Sequence, residues 1–338
     1  MYRPGILHDL YATRRIIDTP PPLLPRQSSC SPLVLLGKGG PLVVSVAIGY
    51  ELPVYWRFVG SLRKHFAGAI ALLTKGPPHQ DIFRFCCRKR ASVITSAKAR
   101  ALGLTESPLS YTFASAKGHA HDSIFARFSA LARLCSSGEH SLCLGIDFRD
   151  VFFQANPFAR PTHSPSPDLG LTLEGDRTIG SSRINRQWVR TCFDDETAER
   201  LSHVGVVNSG AIIGSRRGLA ALGGFYESHA ERVWRNGSAR NLSSMGGLCN
   251  DQALLNVAVH APAAAGWRRG LRVEVQTQGA SFATTLCTFK HREPELRMSD
   301  DGLVLNSDGS PTPAVHQFDR LRHTRFGVLQ DVWQYVKS

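Results

Sequence analysis

The stretch SLCLGIDFRDVFFQANPF, residues 141–158, carries an apolar run straight into two carboxylates, Asp147 and Asp150, that flank Arg149. A carboxylate at the carboxyl end of a buried parallel strand faces the crevice in which open α/β sheets bind ligands. Two of them within one turn repel unless a cation lies between. The pair therefore predicts a divalent metal site, and hard oxygen donors favour manganese or magnesium over zinc. An ion held there would neutralise a diphosphate and stabilise it as a leaving group. The competing use of the same residues is architectural, with Asp147 capping the turn and Asp150 paired with Arg149 or a nearby arginine.

Phosphatases of the haloacid dehalogenase type also place an aspartate after an apolar strand, but they need a second acid two residues later, where this chain has Arg149. Further polar stations follow along the chain. In NSGAIIG, residues 208–214, Asn208 and Ser209 could reach a ligand and Gly210 admits close backbone approach; an ordinary strand-edge turn is the alternative. In NDQALLN, Asp251 has the position of a helix N-cap, so its carboxylate could simply satisfy backbone donors. In AVHQFDR, His316 offers an imidazole suited to manganese, late enough in the chain to close a site begun by two acids. Chance accounts for any one station more easily than for all of them in this order.

These stations need a frame to position them. PLVVSVAIGY reads as a buried strand, PVYWRFVGSLRKHF as a helix with apolar residues at three- and four-residue spacing, and AIALLTKG as a second strand. That is the strand, helix, strand unit that opens a parallel sheet. SVITSA predicts a third strand, HDSIFARFSALARLCSSG an amphipathic helix, and SLCLGID the strand that delivers the acids. RPTHSPSPD is turn-rich, LGLTLEG a strand, and INRQWVRTCF with DDETAERLSH one or two short helices. VVNSGAIIGS reads as a strand carrying an Asn-Ser-Gly turn, followed by the helix RGLAALGGFYESHAERVWRN, the polar loop GSARNLSSMGGLCN and the helix DQALLNVAVHA. LRVEVQ and ATTLCTFK predict a mixed-sheet end to the same domain. The predicted organisation is a flexible Pro/Arg-containing leader over 1–40, one domain over 41–326 and a tail over 327–338.

The chain has 338 residues, 42% of them hydrophobic, which is ample for a full-sized core. Its formal net charge of +13 favours anionic partners without naming one. The arginines are spread throughout and no nucleic-acid module is recognisable, so a nucleic-acid partner is not expected. No apolar run reaches the roughly 20 residues of a membrane span. The first thirty residues lack a secretory signal pattern, which predicts a cytoplasmic protein, or one of the Golgi lumen if the amino terminus is incomplete. Eight scattered cysteines without zinc-type spacing are expected to be buried free thiols. Two sequons, at Asn236 and Asn241, would matter only in the secretory pathway.

LGIDFRDVFFQANPF resembles the Asp-x-Arg-Asp-Val-x-Phe-Gln-x-x-Pro-Phe signature of a plant, algal and invertebrate group of nucleotide-diphospho-sugar glycosyltransferases of the GT-A fold. INRQWVRTCF, VVNSGAIIGS, NDQALLN and VHQFDR are similar to that group's later blocks in the same order, and the Asn-Ser-Gly and Asp-Gln blocks are distantly like those of glycosyltransferase family 8. The resemblance runs from about Pro41 to Phe326. It implies an α/β fold with a Rossmann-like, mixed but mostly parallel sheet flanked by helices. It also implies transfer, in retaining mode, of a sugar from a UDP-type donor to a hydroxyl of a glycan or glycoprotein acceptor. Asp147, Asp150 and His316 would hold Mn2+ or Mg2+, with Asp147 also near the ribose. Asn208, Ser209 and Gly210 would lie near the donor sugar, Asp251 and Gln252 beside the reacting carbon, and Arg127 near the nucleotide or sugar. Arg149 departs from the usual Asp-x-Asp, which leaves open a degenerate fold that only binds glycans or nucleotides.

Overall fold

A computed structural model describes residues 39–101, 121–159, 167–239, 249–289 and 295–321. The predicted leader up to residue 38, the tail, most of the turn-rich loop after residue 159 and the polar loop with Asn241 lie outside the described residues. Strand β1 (Leu42–Val46) leads into a helical stretch made of α1 (Leu52–Tyr55), a π-helical turn (Trp56–Gly60) and α2 (Ser61–His65). Strand β2 (Ala69–Thr74), helix α3 (Gln80–Arg88), strand β3 (Ser92–Thr95) and helix α4 (Ser96–Ala101) follow. Helix α5 (His121–Ser137) then returns the chain to β4 (Cys143–Ile146).

After β5 (Val151–Phe153) come β6 (Leu169–Thr178), the short helices α6 (Arg183–Cys192) and α7 (Asp195–Arg200), and β7 (Gly205–Gly214). The long helix α8 (Arg216–Ala239), α9 (Asp251–His260), β8 (Val273–Gln276), β9 (Ala283–Thr285) and β10 (Ala314–His316) complete the order.

The main sheet has seven strands in the order β3-β2-β1-β4-β7-β6-β8. Every pairing is parallel except those that β7 makes with β4 and β6. This is the mixed, mostly parallel α/β sheet that the sequence predicts. Strand β1 shows why it must be central: Leu42 and Val44 enter the core with Leu131 and Leu222, while Val43 enters the opposite layer with Phe58 and Leu62. A strand buried on both faces reads as an unbroken apolar run, which LVVSV does.

Several expectations change. The Asn-Ser-Gly segment is not a turn: it lies inside β7, where register shifts from Leu171↔Ile212 to Thr172↔Asn208, so Ser209, Gly210 and Ala211 bulge away from β6. The β4 edge pairs with the other side of the bulge, Ile146 opposite Ala211, and that pairing outweighs the local turn preference. The chain's end does not simply extend the main sheet. Only β8 joins it, whereas β9 and β10 form a second, three-stranded sheet with β5, and LCTF (Leu286–Phe289) is a 3-10 turn rather than a strand. Gln154 ties this sheet to the 304–312 hairpin by bonding both backbone groups of Val304 and the carbonyl of Thr312. Asn236 of the first sequon lies within α8.

The cysteine expectation also fails, because Cys135–Cys143 and Cys192–Cys249 are disulfides. Spacing could not reveal them: the first pair closes the α5–β4 turn, and the second joins the end of α6 to the residue before the α9 cap. Cys86 is buried and free. The chain-entropy model gives a loop of 57 residues about 4 kcal/mol of stabilisation and a loop of 8 residues about 2.5 kcal/mol. Denaturant titrations should therefore find Cys192→Ser/Cys249→Ser less stable than Cys135→Ser/Cys143→Ser, by about 1–2 kcal/mol. Equal losses would mean that local packing, not loop closure, carries the effect.

Candidate metal and ligand cleft

The acids follow β4 directly. The backbone N–H of Asp147 donates to the Gly210 carbonyl (2.8 Å), continuing the β4–β7 pairing by one residue. Phe148 then plugs inward against Tyr50, Tyr55 and Phe58, with ring centroids 4.7–5.6 Å apart, so Asp147 and Asp150 are turned the other way. His316 ends β10 and pairs with Val151, the first residue of β5, which brings the imidazole beside Asp150. The next residue, Gln317, takes a left-handed backbone (φ 55) and donates its N–H to the Asp150 carbonyl at 2.7 Å. A non-glycine residue in that region stores strain, which clusters at functional sites.

Each acid divides its oxygens in the same way. Asp147 gives Oδ1 to Arg127 and Oδ2 to His316 Nε2 (3.1 Å). Asp150 gives Oδ2 to Arg149 (3.1 Å) and turns Oδ1 toward the same His316 nitrogen (3.8 Å). One ligand atom from each of Asp147, Asp150 and His316 lies within 4.8 Å of the others. Two carboxylate oxygens and an imidazole nitrogen at this spacing suit a manganese- or magnesium-like dication. His316 is buried, and its Nδ1 has no hydrogen-bond partner among the described residues. The architectural reading of Asp150 is also realised, since Arg149 pairs with it and with Asp319 (3.6 Å). Asp147 does not cap the turn; its side chain is taken by Arg127 and His316.

Arg127, from α5, bridges Asp147 and Asp251, meeting the latter at 2.5 Å and the Ser209 carbonyl at 2.8 Å. Burial pushes the Asp147 carboxyl up, but the Arg127 charge and the His316 hydrogen bond overcome this and hold it well below the usual carboxylate range. Burial opposes the charged form of His316, yet the hydrogen bond and charge of Asp147, with Asp150 and Glu174, raise it. For Asp251 burial dominates: its pKa is pushed up to about 6, with Arg127 opposing and Asp147 adding to the rise.

Asp251 is not the cap of α9. Asn250 is, accepting from the Gln252 N–H at 2.8 Å, and Asp251 in the first turn is released to face Arg127. Beside it lies a second polar group. Gln252 and Asn208 both donate to Glu174 Oε1, at 3.0 and 2.9 Å, and Gln252 also donates to Asn185 (2.7 Å). Burial raises the Glu174 carboxyl, partly offset by those two amides.

A cleft of about 310 Å³ is lined by Arg127, Asp147, Arg149, Asp150, Ser209, Asp251 and Gln252, together with Tyr50, Trp188 and Gln317. Asn208, Gly210 and His316 stand behind this lining. Gly210 is there by necessity, since a Cβ would press on His316 Cε1 and come 2.8 Å from Asp147 Oδ2 and Asn208 Oδ1. All the anticipated residues are thus gathered in one place. Glu174, Asn185, Trp188, Tyr50 and Gln317 were not anticipated. Glu174 carried a signal, being a lone acid in the buried strand LGLTLEG.

No protein-family model matches the chain. No curated protein matches it. Among solved structures it is similar to the crystal structure of the glycosyltransferase GlyE of Streptococcus pneumoniae TIGR4, at 13% identity and a TM-score of 0.44. That similarity covers 89% of this chain and 61% of the other.

The raised Asp251 carboxyl has a stability signature. Folded protein keeps this proton up to about pH 6, whereas the unfolded chain releases it near the ordinary aspartate value of 3.8. The contribution is therefore full below about pH 4 and lost as pH rises through 6. Relative to Asp251→Asn, wild-type stability should fall by about 2–3 kcal/mol between pH 4 and 6 and stay level above 7. A difference that does not vary with pH in denaturant titrations would contradict the raised pKa.

Proposed function

We propose that this chain is a metal-dependent glycosyltransferase of the GT-A type, moving a sugar from a nucleotide-diphosphate donor, in our reading a UDP-sugar, to a hydroxyl of a glycan or protein. One observation carries the reading: Asp147 and Asp150 each engage an arginine with one oxygen and turn the other toward His316, within the spacing of a metal site. The sequence blocks that resemble such transferases supply the same residues in the same order.

Asp147, Asp150 and His316 would hold Mn2+ or Mg2+, whose chemistry is to neutralise the charge that grows on a departing diphosphate. Arg127 keeps Asp147 ionised and fixes both Asp147 and Asp251 in a largely buried wall. Arg149, about half exposed at the cleft edge and paired with Asp150 and Asp319, would present its remaining donors to the donor phosphates. Asp251 would stand beside the reacting carbon, and Ser209 near the donor sugar. Likeness of the Asp-Gln block to family 8 supports retention. The raised Asp251 carboxyl favours a second reading, in which it takes the acceptor proton during inversion. The anomeric configuration of the product, read by NMR, distinguishes the two.

The disulfides support an oxidising compartment rather than the cytosol. Among the described residues, no helix is long and apolar enough to cross a membrane.

Thermal-shift measurements test the assignment. UDP and Mn2+ together should stabilise the protein by about 2.7 kcal/mol at a hundredfold excess over Kd. The part of the shift due to UDP should need Mn2+ and vanish in Asp150→Asn. Stabilisation by no nucleotide sugar, with or without metal, would overturn the reading.

A further inference from the structure

Gln252 lines the cleft next to Asp251, yet its amide has no capacity left for a ligand. A side-chain amide offers two lone pairs and two hydrogens. Oε1 of Gln252 accepts from Ser209 N (3.1 Å) and Ser209 Oγ (3.3 Å), while Nε2 donates to Glu174 Oε1 (3.0 Å) and Asn185 Oδ1 (2.7 Å). The protein takes three of these outright, and the Ser209 hydroxyl, whose single proton is shared with Asp251 Oδ1 at 3.4 Å, covers the fourth. Asn208 repeats the pattern one residue earlier on β7: its Oδ1 accepts from Gly210 N (2.7 Å) and its Nδ2 donates to the same Glu174 oxygen (2.9 Å).

Both amides are therefore held in one orientation from two sides. A backbone N–H can only donate, which fixes the oxygen end, and Glu174 Oε1 receives both nitrogen ends. The two N–H groups so captured belong to Ser209 and Gly210, consecutive residues of the β7 bulge. Their carbonyls face outward to the site, that of Ser209 accepting from Arg127 and that of Gly210 from the Asp147 N–H. The buried carboxylate thus reaches both Arg127 and the backbone of Asp147 through three hydrogen bonds, with one amide side chain and one bulge residue in between.

We propose that Glu174 is a positioning residue: its buried carboxylate orients the amides of Asn208 and Gln252, and these clamp the Ser209–Gly210 bulge that holds Arg127 and Asp147 in register. Gln252 then acts on the protein backbone. The orientation of the amides is independent of the transferase reading, whereas the effect on metal affinity rests on it.

A double-mutant cycle tests the orientation. Gln252→Glu alone sets two carboxyl groups against each other at the present 3.0 Å contact and should lower the Tm. Adding Glu174→Gln removes one of the two like charges and turns an N–H to the new carboxylate, at the cost of the Asn208 Nδ2 bond that shares Glu174 Oε1. The Tm of the doubly substituted protein should exceed the additive expectation by at least about 3 °C. Additive effects would overturn the proposal.

Calorimetry with Mn2+ alone supplies the readout that a merely structural role would leave unmoved. Glu174→Leu should weaken Mn2+ binding to the folded protein about tenfold or more, the scale of outer-shell losses at metal sites. Glu174→Gln, which keeps an acceptor oxygen, should stay within about threefold of wild type. A lowered Tm with unchanged Mn2+ affinity in Glu174→Leu would reduce Glu174 to a packing role and overturn the proposal. If wild-type protein binds no Mn2+, the metal reading fails instead, and the cycle alone decides the orientation.

Discussion

A buried guanidinium between two carboxylates is the interaction on which this site depends. Asp147 and Asp251 come from different elements and meet across Arg127, whose side chain is only 17% exposed. Without a counter-charge, two carboxylates in such a setting would each carry several kcal/mol of desolvation cost and would take up protons instead. Arg127 resolves this unequally. It holds Asp147 firmly ionised and leaves Asp251, the more deeply buried of the two, with an elevated carboxyl. Acids whose environments separate their proton affinities are suited to different tasks.

The sheet makes the arrangement possible. In an all-parallel sheet, loops beyond the strand ends would have to supply every residue of the crevice. Here β7 runs against its neighbours, so its middle lies level with the end of β4. Ser209 and Gly210 reach the site from inside a strand, at its bulge away from β6, and the smallness of Gly210 lets His316 and Asp147 close up. The second sheet then delivers His316 by strand pairing with β5, whose first residue directly follows Asp150. Strand register, rather than loop conformation, fixes most of the distances that define the site.

Much of this was legible in the residues. Acids after the buried run SLCLGI had to emerge at a strand end, and the alternation of strands and helices gave the main sheet. What escaped has physical reasons. Asn208, Ser209 and Gly210 are turn-forming residues by local preference, and only contacts far away in sequence, Asn208 with β6 and Gly210 with Asp147, keep them extended. Asn250 and Asp251 are both good capping residues, and nothing local decides which one caps and which one is freed. The cysteine pairs depend on where α5, α6 and α9 pack, which spacing does not encode. Glu174 stood out in its strand, but its partners Asn208 and Gln252 are recruited from elements more than thirty residues away.

The Cys192–Cys249 bridge attaches immediately before Asn250, the residue that starts α9 and so sets the direction of Asp251 and Gln252. Protein made in a reducing bacterial cytosol would lack this staple. The wall of the cleft would then rely on the Asn250 cap and on Tyr226, whose hydroxyl bonds the Asp251 carbonyl at 2.8 Å. Inert material from such a host would reflect its folding history rather than its chemistry, so an oxidising expression host is the appropriate source.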